Sequence, residues 1–328
     1  MEVHTVSTAT TEGPARRLRA EPPRGDRALR RRLPEWLVGW AFVLPAVALF
    51  ALMGAYTLGT GLALSFAKWN GFTPTWIWVG VQNYLDLLYA NPVLASQMRR
   101  AGWNTLLVMV WVPLLTVTIS LPLAVLLNSI TRLRALLRSV YFLPYVTSGI
   151  AVYFAWRYVL EPDGAVNLLL RSVGLGGLSQ PQGFLGNPDT ALPTLILILT
   201  WSSVPVATLL YLSGLQAIDP NLFEAAQIDG AAPRHVLRRI TWPLLRPMTA
   251  AIVLLGVRDS LHGFQIFLIM TNGGPGGHTD VLGLMTYRLS FMQQLAQTLG
   301  AASALGWLLF AGAVLLTLVN VRLLGRIR

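Results

Sequence analysis

The chain has 328 residues, of which 54% are hydrophobic and 12% charged, with a formal net charge of +11 and no cysteine. Soluble domains carry about a quarter charged residues, so lipid rather than water solvates most of this chain. The missing cysteines exclude disulfides, thiolate metal sites and cysteine nucleophiles, and the basic charge lacks the interleaved aromatics of a nucleic-acid surface, so no nucleic acid is expected as a partner.

Residues 1–33 are polar, rich in Pro, Arg and Ala, and precede an apolar run too long for a signal-peptide core. They read as a retained, disordered cytoplasmic tail. Residues 34–328 are expected to form one all-α membrane domain. A helix needs about 20 apolar residues to cross a bilayer, and the first such run lies near Trp36–Phe66. The loop after it opens with KWNGFTPTW, where Asn-Gly and Thr-Pro mark turns and the tryptophans suit a membrane interface. Further runs follow near Trp103–Asn128 and Ser139–Leu160. An excursion over Glu161–Asp189 then carries a short apolar stretch, Val166–Leu170, that predicts a small surface helix. The fourth run covers Thr190–Gln216, the fifth Pro247–Met270 and the sixth Gly300–Leu324, with a glycine-rich TNGGPGGHTD loop after Met270. Nothing alternates with the roughly ten-residue strands of an outer-membrane barrel. In lipid every backbone donor needs an internal partner, so the runs must be helices, and Pro45, Pro113, Pro122, Pro144 and Pro205 mark kinks or breaks in them.

Arginines cluster before the first run, between the second and third (Arg132, Arg134, Arg138), between the fourth and fifth (Arg234, Arg238, Arg239, Arg246) and at the end (Arg322, Arg326, Arg328). These loops all lie on one side of a six-span protein. The opposite loops hold few basic residues, so the positive-inside rule places both termini in the cytoplasm.

Between the fourth and fifth runs stands a polar segment, EAAQIDGAAPRHVLRRITWPLLRP, at Glu224–Pro247. Asp219 or Asn221 can cap a helix there, Asp229-Gly230 can turn the chain at positive φ, and Pro233 suits the first turn of a second helix running to about Trp242. The result is a helical hairpin offered to a soluble partner.

At these residues the chain resembles the permease subunits of bacterial ABC importers, whose cytoplasmic signature reads EAA, then DGA, an Ile and a closing Pro. Glu224, Ala225, Ala226, Asp229, Gly230, Ala231, Ile240, Pro243 and Pro247 stand in matching order and spacing. Leu237 and Trp242 depart from the usual residues and keep hydrophobic character, while Pro233 is less usual. Weaker motifs, SFAKWNG with Asn83-Tyr84, NTLL at Asn104–Leu107, YFLPY at Tyr141–Tyr145, the EPDG run ending at Asn167 and TNGGPGG, resemble the carbohydrate-uptake branch and the first permease of its pair. The resemblance implies a second homologous permease, two copies of an ATP-binding subunit whose cleft receives the hairpin, and an extracytoplasmic solute-binding protein. It also implies that ATP and Mg sit on the partner ATPase, with no cofactor on this chain.

The residues are consistent with that division of labour. Lys68 is the only lysine, so this polypeptide carries no Walker A motif, and neither an HExxH pair nor a GxSxG elbow occurs. Ionisable residues at bilayer depth default to functional hypotheses, which makes Arg258, Asp259, His262 and Gln265 candidates for the solute pathway. Arg258, His262 and Gln265 share one helical face at i, i+4 and i+7. Trp201 and Ser202 in the fourth run and Tyr153 in the third join them, since aromatic faces and hydroxyls suit sugars. The competing function is an ion-coupled secondary transporter, which calls for inverted repeats and midplane acids; Asp259 is the sole carboxylate deep in a run.

Overall fold

A computed structural model describes residues 34–129, 139, 142, 143, 145–292 and 298–325. The expected tail, residues 1–33, lies outside them. The chain divides into two compact units, residues 1–56 and 57–328. In the first, helix α1 (Glu35–Phe50) contains Pro45 and continues into a wide π turn, Ala51–Ala55. Its apolar side chains face outward on all sides, Phe42 being 81% and Phe50 80% exposed, and a helix that is apolar all round needs lipid or another protein about it.

Helix α2 (Tyr56–Ser65) leads to two short antiparallel strands, β1 (Ala67–Lys68) and β2 (Ile77–Trp78), with Ala67 opposite Trp78. Helices α3 (Gln82–Leu85), α4 (Pro92–Ser129), α5 (Gly149–Val159), α6 (Ala165–Ser172) and α7 (Pro188–Gln216) follow. The polar segment folds as α8 (Pro220–Ile228), α9 (Pro233–Val236), a π turn over Leu237–Thr241 and α10 (Trp242–Leu244). Helices α11 (Arg246–His262), α12 (Gln265–Met270), α13 (Leu282–Phe291) and α14 (Leu299–Gly325) complete the chain.

Among the described residues, four segments are long and apolar enough to cross a membrane: Trp36–Ser65, Pro92–Ser129, Pro188–Gln216 and Leu299–Leu318. A fifth arises if Pro233–Leu244 and Arg246–His262, bent by 66° at Leu245, count as one span. The expected fifth run, Pro247–Met270, is therefore not one helix. It stops at His262, where Gly263 turns extended (φ −71°, ψ 109°), and restarts at Gln265. Part of the expected third run lies outside the described residues; its described portion includes α5, which at 11 residues is too short to span alone.

The described contacts fix the direction of the helices. Trp103 and Asn104 of α4 line one groove with Pro188 and Asp189 of α7, Val112 and Pro113 line one cavity with Ser202 and Ser203, and Leu121 and Leu127 share a core with Tyr211 and Leu215. The two helices thus run parallel. Leu160 packs in the same core as Val108 and Leu192. Helix α11 runs the opposite way: the Tyr211 hydroxyl hydrogen-bonds Thr249 Oγ1 at 2.9 Å, while Gly256 lies against Pro113. Helix α14 is antiparallel to α2, since Gly300 abuts Ala67 and Gly61 approaches Trp307. Buried Leu245, at the bend, presses on Gly214 of α7 so closely that a Cβ there would lie 2.7 Å from Leu245 Cδ2.

One end of this bundle is tied by three buried asparagines. Asn83 donates to the carbonyls of Ser65 and Ala67, both at 2.9 Å. Asn104 donates to Asp280 O at 2.8 Å, and neighbouring Thr105 Oγ1 accepts from Leu282 N at 2.9 Å. Asn167, wholly buried, donates to the carbonyls of Glu161, Pro162 and Gln180 and accepts from Gln180 N at 2.8 Å. A buried carbonyl left unpaired costs about 1–3 kcal/mol, so each amide holds backbone carbonyls, those at the junction of α2 and β1 for Asn83 and those of loops for Asn104 and Asn167. The SFAKWNG and EPDG motifs contain backbone held in this way, while NTLL supplies Asn104 from within α4. We refer to the two ends of the bundle as the asparagine end and the hairpin end.

Candidate functional site

The hairpin follows from local chemistry. Asp219 caps α8 by accepting from Asn221 N at 3.0 Å, and Pro220 opens its first turn. At the other terminus Gly230 adopts φ +69°, Gly230 N donates to Gln227 O at 3.0 Å and Ala231 N donates to Ala226 O at 2.9 Å. That pair of bonds is the Schellman closure, in which a left-handed residue lets the chain satisfy the last carbonyls and reverse. Asp-Gly-Ala in the sequence is this closure. Pro233 then starts the second arm, which runs through the π turn to Leu244.

Burial divides the hairpin into a root and a tip. Ala226 and Thr241 are buried, and Ala231, Ile240, Trp242 and Pro243 are half-buried. Glu224, Ala225, Asp229 and Gly230 are exposed, and beside them Ile228 is 87% exposed. The tip presents an aliphatic side chain flanked by two carboxylates, with Arg234, Arg238 and Arg239 exposed on the second arm.

The pathway candidates do not form one cluster. A cavity of ≈310 Å³ opens among α4, α7 and α11, lined by Thr116, Tyr145, Ser202, Ser203 and Asp259 together with apolar residues. It brings Ser202 and Asp259 together, and Asp259 makes no ion pair among the described residues. Trp201 instead packs edge-on against Trp156 at 5.5 Å, and Tyr153 packs on the core beside it. Arg258 is exposed; its carbonyl lies 3.1 Å from His262 Nδ1. The expected shared face of Arg258, His262 and Gln265 is not formed, because the chain leaves the helix at Gly263 and Gln265 begins α12. Neither Thr116 nor Tyr145 is among the pathway candidates of the sequence, where Tyr145 enters only as the end of the YFLPY motif. Thr116 sits inside an apolar run, its hydroxyl buried without a partner among the described residues, and only the approach of α7 and α11 reveals it as lining.

At the asparagine end the glycine-rich loop after Met270 is folded rather than loose. Thr279 Oγ1 bridges Thr271 Oγ1 at 2.7 Å and Gly274 O at 2.6 Å, and Arg100 Nη1 donates to Gly276 O at 2.7 Å. Arg288 pairs with Asp280 Oδ2 at 2.9 Å and donates to Asn272 O. Burial of Asp280 pushes its carboxyl above the ordinary carboxylate value, against the opposing pull of Arg288 and Arg100.

Comparison with known proteins places these features in a family. A probable ABC transporter permease of Pyrococcus horikoshii is 31% identical, over 87% of this chain and 96% of its own. The trehalose/maltose transport system permease of Thermococcus litoralis is 29% identical, over 89% and 94%. Among solved structures, a bacterial ABC transporter involved in import of the acidic polysaccharide alginate superposes with a TM-score of 0.72 at 25% identity, over 89% of this chain and 96% of that one. A bacterial alginate ABC transporter in complex with an alginate pentasaccharide-bound periplasmic protein superposes with a TM-score of 0.71 at 25% identity, over 87% of this chain and 93% of that one. Residues 29–328 match the model of the binding-protein-dependent transport system inner membrane component, and the chain belongs to that family of multi-pass membrane permeases.

Proposed function

We propose that the chain forms half of the solute pathway of an ATP-driven sugar importer. A second homologous permease completes the pathway, and an extracytoplasmic binding protein delivers the solute. The hairpin from Glu224 to Pro243 docks in a separate ATP-binding subunit, present in two copies, which holds ATP and Mg and hydrolyses the nucleotide. The observation that carries this reading is the split of the hairpin into buried root and naked tip: Ile228, 87% exposed between Glu224 and Asp229, has no use in water and fits a protein cleft. Arginine placement supports a cytoplasmic hairpin and cytoplasmic termini. The sugar class is supported by the trehalose/maltose relative and the alginate neighbour. The cavity holding Ser202, Ser203 and Asp259 supplies hydroxyls and a carboxylate, acceptors for the hydroxyls of a sugar.

Reversing the charge at the tip tests the reading. Glu224→Lys is expected to leave the protein inserted and expressed while abolishing solute uptake and its coupling to ATP hydrolysis. Normal uptake at normal expression would refute the docking role.

A further inference from the structure

A second recess, larger than the cavity described above, opens along the bundle. It is a groove of ≈560 Å³ between α4 and α7, toward the asparagine end. Its walls are Leu107, Trp111 and Leu115 on α4, and Leu192, Ile196 and Leu197 on α7. It opens sideways, with Trp111 46% and Leu197 60% exposed. Polar groups occur only at one extremity, where Asn104, Asp189 and His278 line the mouth beneath the exposed face of Trp103. Arg100, less than one turn before Trp103, is anchored to Gly276 O, two residues from His278, so a guanidinium stands beside the mouth as well.

The geometry points to a phospholipid site, occupied by a zwitterionic lipid with a primary amine. Depth argues for an acyl chain. From Trp103 to Leu115 the groove runs twelve residues, about 18 Å at helical rise, against about 15 Å for one leaflet of a hydrocarbon core about 30 Å thick. The recess ends at mid-bundle, which suits a chain that stops at the bilayer centre and not a partner helix that crosses it. Polarity argues for orientation, because the apolar walls continue inward while the charged groups sit where the helices leave the membrane. Charge argues for the headgroup. Asp189 faces the mouth without an ion-pair partner among the described residues and attracts an ammonium, and Arg100 with His278 offers donors to a phosphate. An anionic lipid would bring no positive group to Asp189.

The full-length chain in nanodiscs of equimolar phosphatidylethanolamine and phosphatidylglycerol with identical tails, released for native mass spectrometry, tests the site. One phosphatidylethanolamine per chain is expected to remain, favoured at least about threefold over phosphatidylglycerol, a ratio in the range of exposed ion pairs. Asp189→Asn is expected to bring that ratio near one, and Leu197→Trp, which fills the groove, to remove the retained lipid of either kind. Equal retention by the unaltered chain, or an unchanged ratio in Asp189→Asn, overturns the assignment. A photo-crosslinking residue at position 197 of the otherwise unaltered chain, activated in native membranes, gives a readout free of folding defects. A phosphatidylethanolamine adduct supports the site; an adduct to a polypeptide, or none, overturns it.

Discussion

Gly230 allows the hairpin's conformation to be tested apart from its contacts. Its φ of +69° is left-handed, yet a Cβ added there would meet nothing within 4 Å. Space therefore imposes no cost, and backbone sterics alone set the penalty, about 1–2 kcal/mol for an L-residue in this region. Gly230→Ala should lower the ratio of closed to open hairpin by about 5- to 30-fold. Gly230→Asn should cost less, since asparagine tolerates this conformation. Gly230→Pro should cost most, because proline cannot leave φ near −65° and removes the N–H that donates to Gln227 O at 3.0 Å. Hydrogen exchange at the Ala231 amide reads the closure directly, since that N–H is held by Ala226 O at 2.9 Å. Exchange should accelerate in the order Asn, Ala, Pro. Equal exchange in the alanine and asparagine variants, or no acceleration in alanine, would refute the assignment of the Schellman closure as the element that shapes the tip.

Asn167→Ala removes three donated bonds and one accepted bond from a wholly buried site; a loss of about 3 kcal/mol should appear as a lowered thermal midpoint in detergent and faster proteolysis between Glu161 and Asn187. Gly300→Ala places a Cβ 1.8 Å from Ala67 O and 2.8 Å from Asn83 Nδ2, so it should cost about 3 kcal/mol, the upper range of overpacking, and reduce the yield of folded protein in fluorescence-detected chromatography. Asp280 binds its proton more tightly in the folded protein than in the unfolded chain. Stability from this group is therefore greatest at acid pH and falls as pH rises from the ordinary carboxylate value of 3.8 through the raised folded one. Asp280→Asn should flatten that acidic limb in thermal melts across pH, and a limb of unchanged slope would show that another group produces it.

What could be read in advance was what local chemistry encodes. The apolar runs announced themselves by length, and the hairpin by Asp219, Gly230 and Pro233, each acting on its immediate neighbours. The break at Gly263 was hidden because a lone glycine does not by itself end a helix and apolar residues resume after it, at Phe264 and Ile266–Met270. That hydropathy kept the run intact on paper and placed Gln265 on a face it does not share. The cavity was half visible: Asp259 and Ser202 stood out as polar groups in lipid, whereas Thr116 and Tyr145 acquire meaning only when distant helices meet. Asn83, Asn104 and Asn167 lay within motifs recognised as recurrent, but their carbonyl partners are as far away as Asp280, 176 residues from Asn104, and no pattern along the chain foretells such pairings.

The contact of Leu245 with Gly214 has a mechanical corollary. The elbow where the chain bends by 66° has no slack toward α7, since Gly214 offers it only a hydrogen atom. A tilt of the second arm would pivot on this fulcrum and displace the foot of α7 at once. Ser203 stands eleven residues up that rod, about 16 Å away, so a push delivered at the knuckle and the shape of the hydroxylated chamber are geared through this contact, with Met248 and the Tyr211–Thr249 bond beside it.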